Sequence, residues 1–321
     1  MSHALRIVTL VISVIVGGIT SNGWAQAWPS KPIKVVIGFP PGTVIDASMR
    51  IVAAEMEKKL AQQIVLEFRP GANGTIGAKA VVTAPPDGYT LAYGNSVSIH
   101  PLFTRNNAVD VTKEMVSVSN IMGTPFYFIA SAKLQARTFE ELLRLNKATP
   151  DGHSQGNSVE VQDLIFDMLK ERTGFVSRSI PYKGSSQTVP SLLAGEVDVS
   201  IGSILAYIPH VQAGTVRPLF ILSSTRHAQF PNLPTSAEVG IPNFDLGLDY
   251  GLWAPLGTPN DIVQKLALEA AAATRVPSVA EQIRKFGSEP IGSTPEGQLR
   301  TFNAQMKVWA EAIQRSGFKP K

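Results

Sequence analysis

Residues 33–60 constrain the fold more than any other stretch of the chain. Ile33-Lys34-Val35-Val36-Ile37 is a short, nearly continuous apolar run rich in β-branched residues, the pattern of a strand buried on both faces. Phe39-Pro40-Pro41-Gly42-Thr43 follows, and its prolines and glycine break regular structure and leave backbone N–H groups without ladder partners. Met49, Val52, Ala53, Met56 and Leu60 then recur at helical spacing, with Asp46 placed to cap a helix opening there. A buried strand, a Gly-containing turn and a helix N-terminus make a ready anion site, because unpaired N–H groups and the positive helix end converge. The same three pieces also make an ordinary first unit of an α/β domain, so the remaining chain has to decide between the two.

The pattern repeats. A strand is expected at 64–68, followed by Arg69-Pro70-Gly71-Ala72-Asn73-Gly74-Thr75-Ile76-Gly77, which holds three glycines in seven residues from Gly71. A helix over 76–83 ends at Pro85-Pro86-Asp87-Gly88, a strong turn signal. A strand over 89–93 runs into the small polar loop Gly94-Asn95-Ser96-Val97-Ser98. Three successive strand ends thus carry loops able to present N–H or hydroxyl donors, which points to a cleft at the carboxyl ends of parallel strands.

Further along, strands are expected at 116–122 and 126–130, and Thr138-Phe139-Glu140-Glu141 is a capping box. Helices over 159–172, 189–194 and 204–212 alternate with strands around Ile180, at 197–201 and at 216–222. After a Pro-rich passage comes Asp249-Tyr250-Gly251-Leu252-Trp253-Ala254-Pro255, then three helices beginning near Pro259, Val279 and Pro295. The last places Leu299, Phe302, Met306, Trp309 and Ile313 on one face, so it is expected to dock.

Residues 1–27 read as a secretory signal peptide: Arg6 is the only charge before Lys31, an apolar run covers 7–19, and small residues follow at Gly23, Ala25 and Ala27. The chain has no cysteine, so an exported form is held by its core without disulfides. Without Arg6 the formal charge is 28 minus 25, or +3, too small and scattered to argue for nucleic acid. Five histidines form no evident metal-ligand cluster, and neither a P-loop nor a dinucleotide fingerprint occurs, so no cofactor and no metal are expected.

One pentapeptide belongs to a different class. Gly152-His153-Ser154-Gln155-Gly156 matches the G-x-S-x-G elbow of serine esterases, with Asp198 and His227 as candidate partners. The elbow needs a buried strand immediately before it, whereas Lys147-Ala148-Thr149-Pro150-Asp151 reads as a turn.

Several segments together resemble the Bug-type extracytoplasmic solute receptors, the binding component of tripartite tricarboxylate transporters. They are Trp28-Pro29-Ser30-Lys31-Pro32-Ile33; Phe39-Pro40-Pro41-Gly42 with Asp46 and Arg50; Arg69-Pro70-Gly71-Ala72-Asn73-Gly74; and Pro86-Asp87-Gly88-Tyr89-Thr90-Leu91. Pro181-Tyr182-Lys183-Gly184, Leu193-Ala194-Gly195-Glu196-Val197-Asp198-Val199, Leu233-Pro234-Thr235 with Glu238, and Gly251-Leu252-Trp253-Ala254-Pro255-Leu256-Gly257-Thr258-Pro259 continue the match in family order.

The resemblance implies a type II-like periplasmic binding protein fold, α/β, with two lobes closing over a ligand: 28–124 plus 246–321, and 125–245. It implies a monomeric periplasmic receptor, not an enzyme, that takes a small organic carboxylate (dicarboxylate, tricarboxylate or aromatic acid) to membrane subunits of the transporter. It implies an acid held by backbone amides, hydroxyls and ordered water. Carried onto this chain, the site comprises Phe39, Pro40, Pro41, Gly42, Thr43, Asp46, Ala72, Asn73, Gly74, Thr75, Ser96 and Ser98 from the first lobe. From the second it comprises Gly156, Asn157, Ser158, Lys183, Gly184, Gly202 and Ser203. Gly202 stands where the family often has an Asp, which argues against an amino acid ligand. Gln162-Asp163-Leu164 stands where it often has His-Leu, with Glu160 nearby to face solvent or read a ligand hydroxyl. His100 precedes Pro101 where the family often has Asn; its role is left open, a lone histidine beside a proline being more often structural.

Overall fold

The computed structural model describes residues 28–104, 108–157, 160–182 and 185–316; the expected signal segment 1–27 lies outside the described residues. In chain order come β1 (Ile33–Ile37), α1 (Val44–Leu60), β2 (Ile64–Phe68), α2 (Thr75–Val82), β3 (Thr90–Asn95), a short α3 (Val111–Glu114) and the long β4 (Met115–Pro125). Then follow β5 (Tyr127–Ser131), α4 (Phe139–Lys147), β6 (His153–Asn157), α5 (Glu160–Thr173), β7 (Ser177–Pro181), α6 (Ser185–Ala194), β8 (Val199–Gly202), α7 (Ile208–Gln212) and β9 (Val216–Ile221). β10 (Gly247–Pro255), α8 (Asn260–Arg275), α9 (Pro277–Lys285), β11 (Glu289–Pro290) and α10 (Pro295–Ser316) complete the described elements.

The strands sort into a six-stranded sheet, β11-β4-β10-β3-β1-β2, and a five-stranded sheet, β7-β6-β8-β5-β9. β1 lies between β2 and β3, parallel to both. A parallel strand inside a sheet is covered on both faces, which is why 33–37 is apolar at almost every position. β10 runs antiparallel between β3 and β4, so the first sheet is mixed.

The chain leaves the first sheet after Pro125 and returns to it at Gly247, and these two residues are paired across the ladder. The Phe126 N–H donates to the Leu246 carbonyl at 3.0 Å, the Leu246 N–H to the Leu222 carbonyl at 2.9 Å, and the Leu222 N–H to the Phe126 carbonyl at 2.8 Å. Gly247 is required here by close approach: a Cβ would lie 2.6 Å from the Thr124 carbonyl oxygen.

One apolar core fills the space between the first sheet and α1, α8 and α9, built on Ile33, Met49, Val52, Met56, Leu266 and Ile283. A smaller one lies on one face of the second sheet around Tyr127, Ile129, Leu192 and Ile204. A third is continuous from Phe128, Phe139 and Phe220 in the second sheet to Trp253, Phe302 and Trp309 in the first body. Phe302, Met306 and Trp309 of α10 are buried as expected, but Leu299 is 36% exposed. Gln298 takes the inward position next to it. Val118 falls at a bulge in the β4–β10 ladder, and the Gln298 side-chain oxygen accepts its N–H at 2.9 Å.

The first helix begins at Val44, not Asp46. Thr43 is its N-cap, in extended conformation, and its hydroxyl accepts the Asp46 N–H at 3.4 Å. The carboxyl of Asp46 reaches back instead to the loop, in the manner of a capping box. The capping box at Thr138 forms as expected: its hydroxyl accepts the Glu141 N–H at 3.2 Å, and the Glu141 carboxylate accepts the Arg137 N–H at 2.7 Å.

Candidate functional site

The three loops singled out in the first hundred residues meet. Gly38, Phe39, Gly74, Asn95 and Ser96 border one small cavity, about 30 Å³, whose floor includes Ala78, Tyr93 and Trp253. Its geometry rests on glycines. A Cβ on Gly38 would lie 2.6 Å from both Cα and O of Gly74, and one on Gly77 would lie 2.8 Å from Cα of Gly38. The first and second loops therefore touch backbone to backbone. The Phe39 ring sits 3.1 Å from where a Gly74 Cβ would be and 4.0 Å from where a Gly94 Cβ would be, so it bridges the second and third loops.

Within the first loop, Gly42 has φ +82 and open space around it. Its N–H is not free: it donates to Asp46 Oδ2 at 2.8 Å. Asp46 Oδ1 is paired with Arg50 at 2.6 Å. Asp46 is thus buried, with one oxygen shaping the loop, and Arg50 is neutralised by the ion pair with the other. Pro40 and Pro41 are exposed on the outer turn, and the Pro40 carbonyl accepts the Thr43 hydroxyl at 3.2 Å.

In the second loop Ala72, Asn73 and Gly74 all have positive φ, at 47°, 54° and 97°. Within this turn the Gly74 N–H already donates to the Gly71 carbonyl at 3.0 Å and the Thr75 N–H to the Ala72 carbonyl. Thr75 opens α2, is wholly buried, and its hydroxyl has no hydrogen-bond partner among the described residues.

In the third loop the Asn95 side-chain oxygen accepts from the Ser98 N–H at 2.9 Å and the Ser98 hydroxyl at 3.0 Å, while its amide donates to the Asp249 carbonyl at 3.1 Å. Ser98 is therefore engaged in the turn. Ser96 is 7% exposed and borders the cavity, and no described residue bonds its hydroxyl.

In the second sheet, Gly156 is a packing residue as well as a loop neighbour. A Cβ there would lie 2.9 Å from Thr188 and 3.0 Å from Val197, and its carbonyl accepts the Ser200 hydroxyl at 2.8 Å. Asn157 ends β6; its amide nitrogen donates to Ser179 Oγ at 3.0 Å, and its side-chain oxygen is buried without a partner among the described residues. Gly202 ends β8 beside the Gln162 amide, which donates to the Ile201 carbonyl. The Ser203 hydroxyl accepts the Leu205 N–H at 3.4 Å. Ser158, Lys183 and Gly184 lie outside the described residues, as does the Glu160 side chain. His100 is structural: its Nδ1 accepts the Leu102 N–H at 3.2 Å, and its ring meets Phe302 edge-on at 6.0 Å.

Sequence reasoning missed a polar cluster behind Ser96. Asp249 on β10 accepts from the Gln305 amide at 3.1 Å and the Asn120 amide at 3.4 Å. Burial pushes its carboxyl up to about 6, opposed by the Gln305 hydrogen bond. Trp253, beside it, keeps a buried indole N–H with no partner among the described residues. The only sequence signal was an Asp at the head of an apolar strand.

The esterase-like pentapeptide forms no nucleophile elbow. His153 to Asn157 is β6 itself, with Gly152 in the turn before it. The Ser154 hydroxyl donates to Asp198 Oδ2 at 2.9 Å and accepts the Asp198 N–H at 3.0 Å, so it links two strands and meets no imidazole. Its neighbour His153 contacts the same carboxylate, 3.4 Å away, which holds Asp198 below the usual carboxylate range. His227 packs against Tyr127 and Phe230 instead. Among the described residues, no group of three or more His, Asp or Glu could hold a metal ion.

Two α/β sheets joined by paired crossing strands, with Gly-rich loops gathered at the ends of β1, β2 and β3, define a periplasmic-binding-protein fold. The chain belongs to the tripartite tricarboxylate transporter receptor family, TctC, whose profile matches residues 48–318. Protein BugT of Bordetella pertussis is 31% identical over 327 residues, an alignment spanning 100% of this chain and 99% of BugT. Among solved structures, the periplasmic binding protein BugD superposes with a TM-score of 0.75 at 28% identity, over 92% of this chain and 100% of BugD. The R. palustris protein Rpa4515, solved with adipate, superposes with a TM-score of 0.79 at 29% identity, over 92% of this chain and 100% of its own. Family and fold are those of solute-binding receptors.

Proposed function

We propose that this protein is a periplasmic receptor that captures a small organic carboxylate and hands it to the membrane subunits of a tripartite tricarboxylate-type transporter. In this reading 1–27 is a signal peptide, 28–124 with 246–321 is one lobe, 125–245 is the other, and the monomer closes around the acid by bending at the two crossings. The observation that carries it is the convergence of three donor-bearing loops, with Ser96 and the left-handed turn 72–74 beside one cavity and no uncompensated charge from Asp46 or Arg50.

Neutral donors suit a receptor. N–H and O–H groups bonded to a carboxylate are charge-assisted and strong, yet without a fixed counter-ion the acid can be released again. Phe39, Gly42, Thr43, Ala72, Asn73, Gly74, Thr75, Ser96 and Ser98 form the first wall. From the second lobe the reading takes Gly156, Asn157, Gly202 and Ser203, with Ser158, Lys183 and Gly184 outside the described residues. The adipate bound by Rpa4515 supports a ligand of the dicarboxylate class.

A thermal-shift screen of the mature protein against dicarboxylates, tricarboxylates, aromatic acids and amino acids tests this reading. An acid at a hundredfold its Kd should add about 2.7 kcal/mol to stability and raise Tm. No shift with any acid, together with ester hydrolysis that disappears in Ser154→Ala, would replace the receptor by a secreted serine esterase.

A further inference from the structure

We propose that Glu289 and His227 form a clasp between the two lobes, one that holds their relative orientation and loosens when the imidazole takes up a proton. The proposal rests on the two-lobe receptor reading.

Glu289 lies in β11, at the edge of the first sheet, while His227 follows β9 of the second. Glu289 Oε1 is 3.4 Å from His227 Nε2. The imidazole is 2% exposed. Its Nδ1 accepts the Gln229 N–H at 3.3 Å, so the neutral ring carries its proton on Nε2, which contacts Glu289 but makes no hydrogen bond to a described residue. Tyr127 on β5 is also buried; its hydroxyl has no hydrogen-bond partner among the described residues, and burial, with Glu289 adding to it, pushes its phenol up. One carboxylate of the first body thus faces two buried polar groups of the second.

The backbone leading to Glu289 lies flush on the second body. A Cβ on Gly287 would be 2.4 Å from Ile204 Cγ2. The next residue, Ser288, shares a buried 2.7 Å hydrogen bond with Thr124 on the crossing strand β4. Glu289 also borders a groove with Gly123, Thr124, Leu222 and Thr225, beside the crossings. A rotation of the lobes about those crossings has to change the Glu289–His227 distance.

The charged and titratable groups facing the imidazole are Glu289 from β11, Arg284 from α9, whose Nε is 3.6 Å from Glu289 Oε2, and Tyr127 from β5. Arg226, adjacent in sequence, is drawn away to Glu238 at 2.9 Å. Burial is the largest influence on His227 and holds it below its ordinary value, although Glu289 pulls the other way. In an unclasped state the ring meets water and returns to the ordinary value, about 6.5. The unclasped state then binds the proton more tightly, so the clasp is at full strength above that pH and weakens as pH falls below it.

The chain has no cysteine, so two introduced cysteines can be spin-labelled without background. Lys58→Cys on α1 and Lys147→Cys on α4 place one label on each body at exposed positions. In the ligand-free protein the inter-label distance distribution should be narrow at pH 7.5 and broaden at pH 5.5. Adding His227→Gln should abolish that pH dependence. Adding Glu289→Ala, at a half-exposed position, should give the broad distribution at both pH values and serves if the histidine variant does not fold. A distribution unchanged between the two pH values, or one that broadens equally with His227→Gln, overturns the clasp. The receptor reading is judged separately by the acid-induced thermal shift.

Discussion

The Phe126 N–H donates to the Leu246 carbonyl at 3.0 Å, and that bond ties together the two places where the chain passes between its sheets. Because the crossings are paired, the two-lobe reading has them bend as one ribbon. Their backbone groups are already satisfied by each other and by Leu222, so a change of lobe angle can leave these bonds intact. The closeness of the ribbon depends on Gly247.

Gly247→Val should destabilise the protein by about 2–4 kcal/mol, because the new side chain meets the Thr124 carbonyl oxygen at 2.6 Å and the Pro125 Cα at 2.9 Å, both backbone atoms. Urea denaturation reads this directly. A midpoint equal to that of the parent would mean the strands separate there at no cost.

Asp46→Ala removes the acceptor of the Gly42 N–H and the partner of Arg50. It should cost ~1–2 kcal/mol in stability and weaken binding of the identified acid by about tenfold, the ~1.4 kcal/mol of one loop no longer preorganised. Titration calorimetry gives the affinity. Full affinity in the variant would show that the first loop holds its shape without Asp46.

Two glycines of the same cavity should behave oppositely. Gly94→Ala adds a methyl whose nearest neighbour is Phe39 at 4.0 Å, so stability should change by less than about 0.5 kcal/mol. Gly38→Ala drives a methyl to 2.6 Å from the Gly74 backbone and should cost ~2–3 kcal/mol and reduce the acid-induced thermal shift. Equal Tm values for the two variants would contradict the backbone contact between the first and second loops.

Asp249→Asn tests the buried carboxyl. Its folded-state value, about 6, lies above that of an exposed Asp. The favourable contribution of the protonated form is therefore complete below about pH 4 and is lost as pH rises through 6. Asparagine keeps an oxygen for Gln305 and carries no charge, so the variant should gain ~1–3 kcal/mol over the parent at pH 8 and nothing at pH 4. Melting curves at both pH values decide it, and a gain independent of pH would refute the assignment.

Ser154→Ala breaks the link between β6 and Asp198. It should lower stability by about 1–2 kcal/mol while leaving the thermal shift with the identified acid unchanged. Loss of acid binding at unchanged stability would move Ser154 into the site.

Much of this was legible in local pattern. The strand at 33–37, the inward face of α1, the Thr138 capping box and the three lobe-one loops all follow from periodicity and turn chemistry, which act over a few residues. The errors were local too. At the head of α1, both Thr43 and Asp46 are capping residue types, and only the path of the loop shows that the hydroxyl caps while the carboxylate turns back to Gly42. Leu299 fits the helical stripe of α10, but the bulge at Val118 called Gln298 inward. The GHSQG pentapeptide matches an elbow in letters, whereas Ser154 lies within β6 and pairs with Asp198, 44 residues away and just before β8.

By itself the sequence determined the alternation of strands and helices, the glycine-bearing loops at the strand ends and the absence of disulfides, because each is encoded by neighbouring residues or by composition. Only the tertiary structure decided that β10 slips antiparallel between β3 and β4, that Gly38 touches Gly74, that Asp249 meets Gln305, and that Glu289 faces His227. Those partners lie tens of residues apart along the chain. No local propensity brings them together; burying the apolar faces of the sheets and the helices packed on them does, and the polar contacts settle where that packing leaves them.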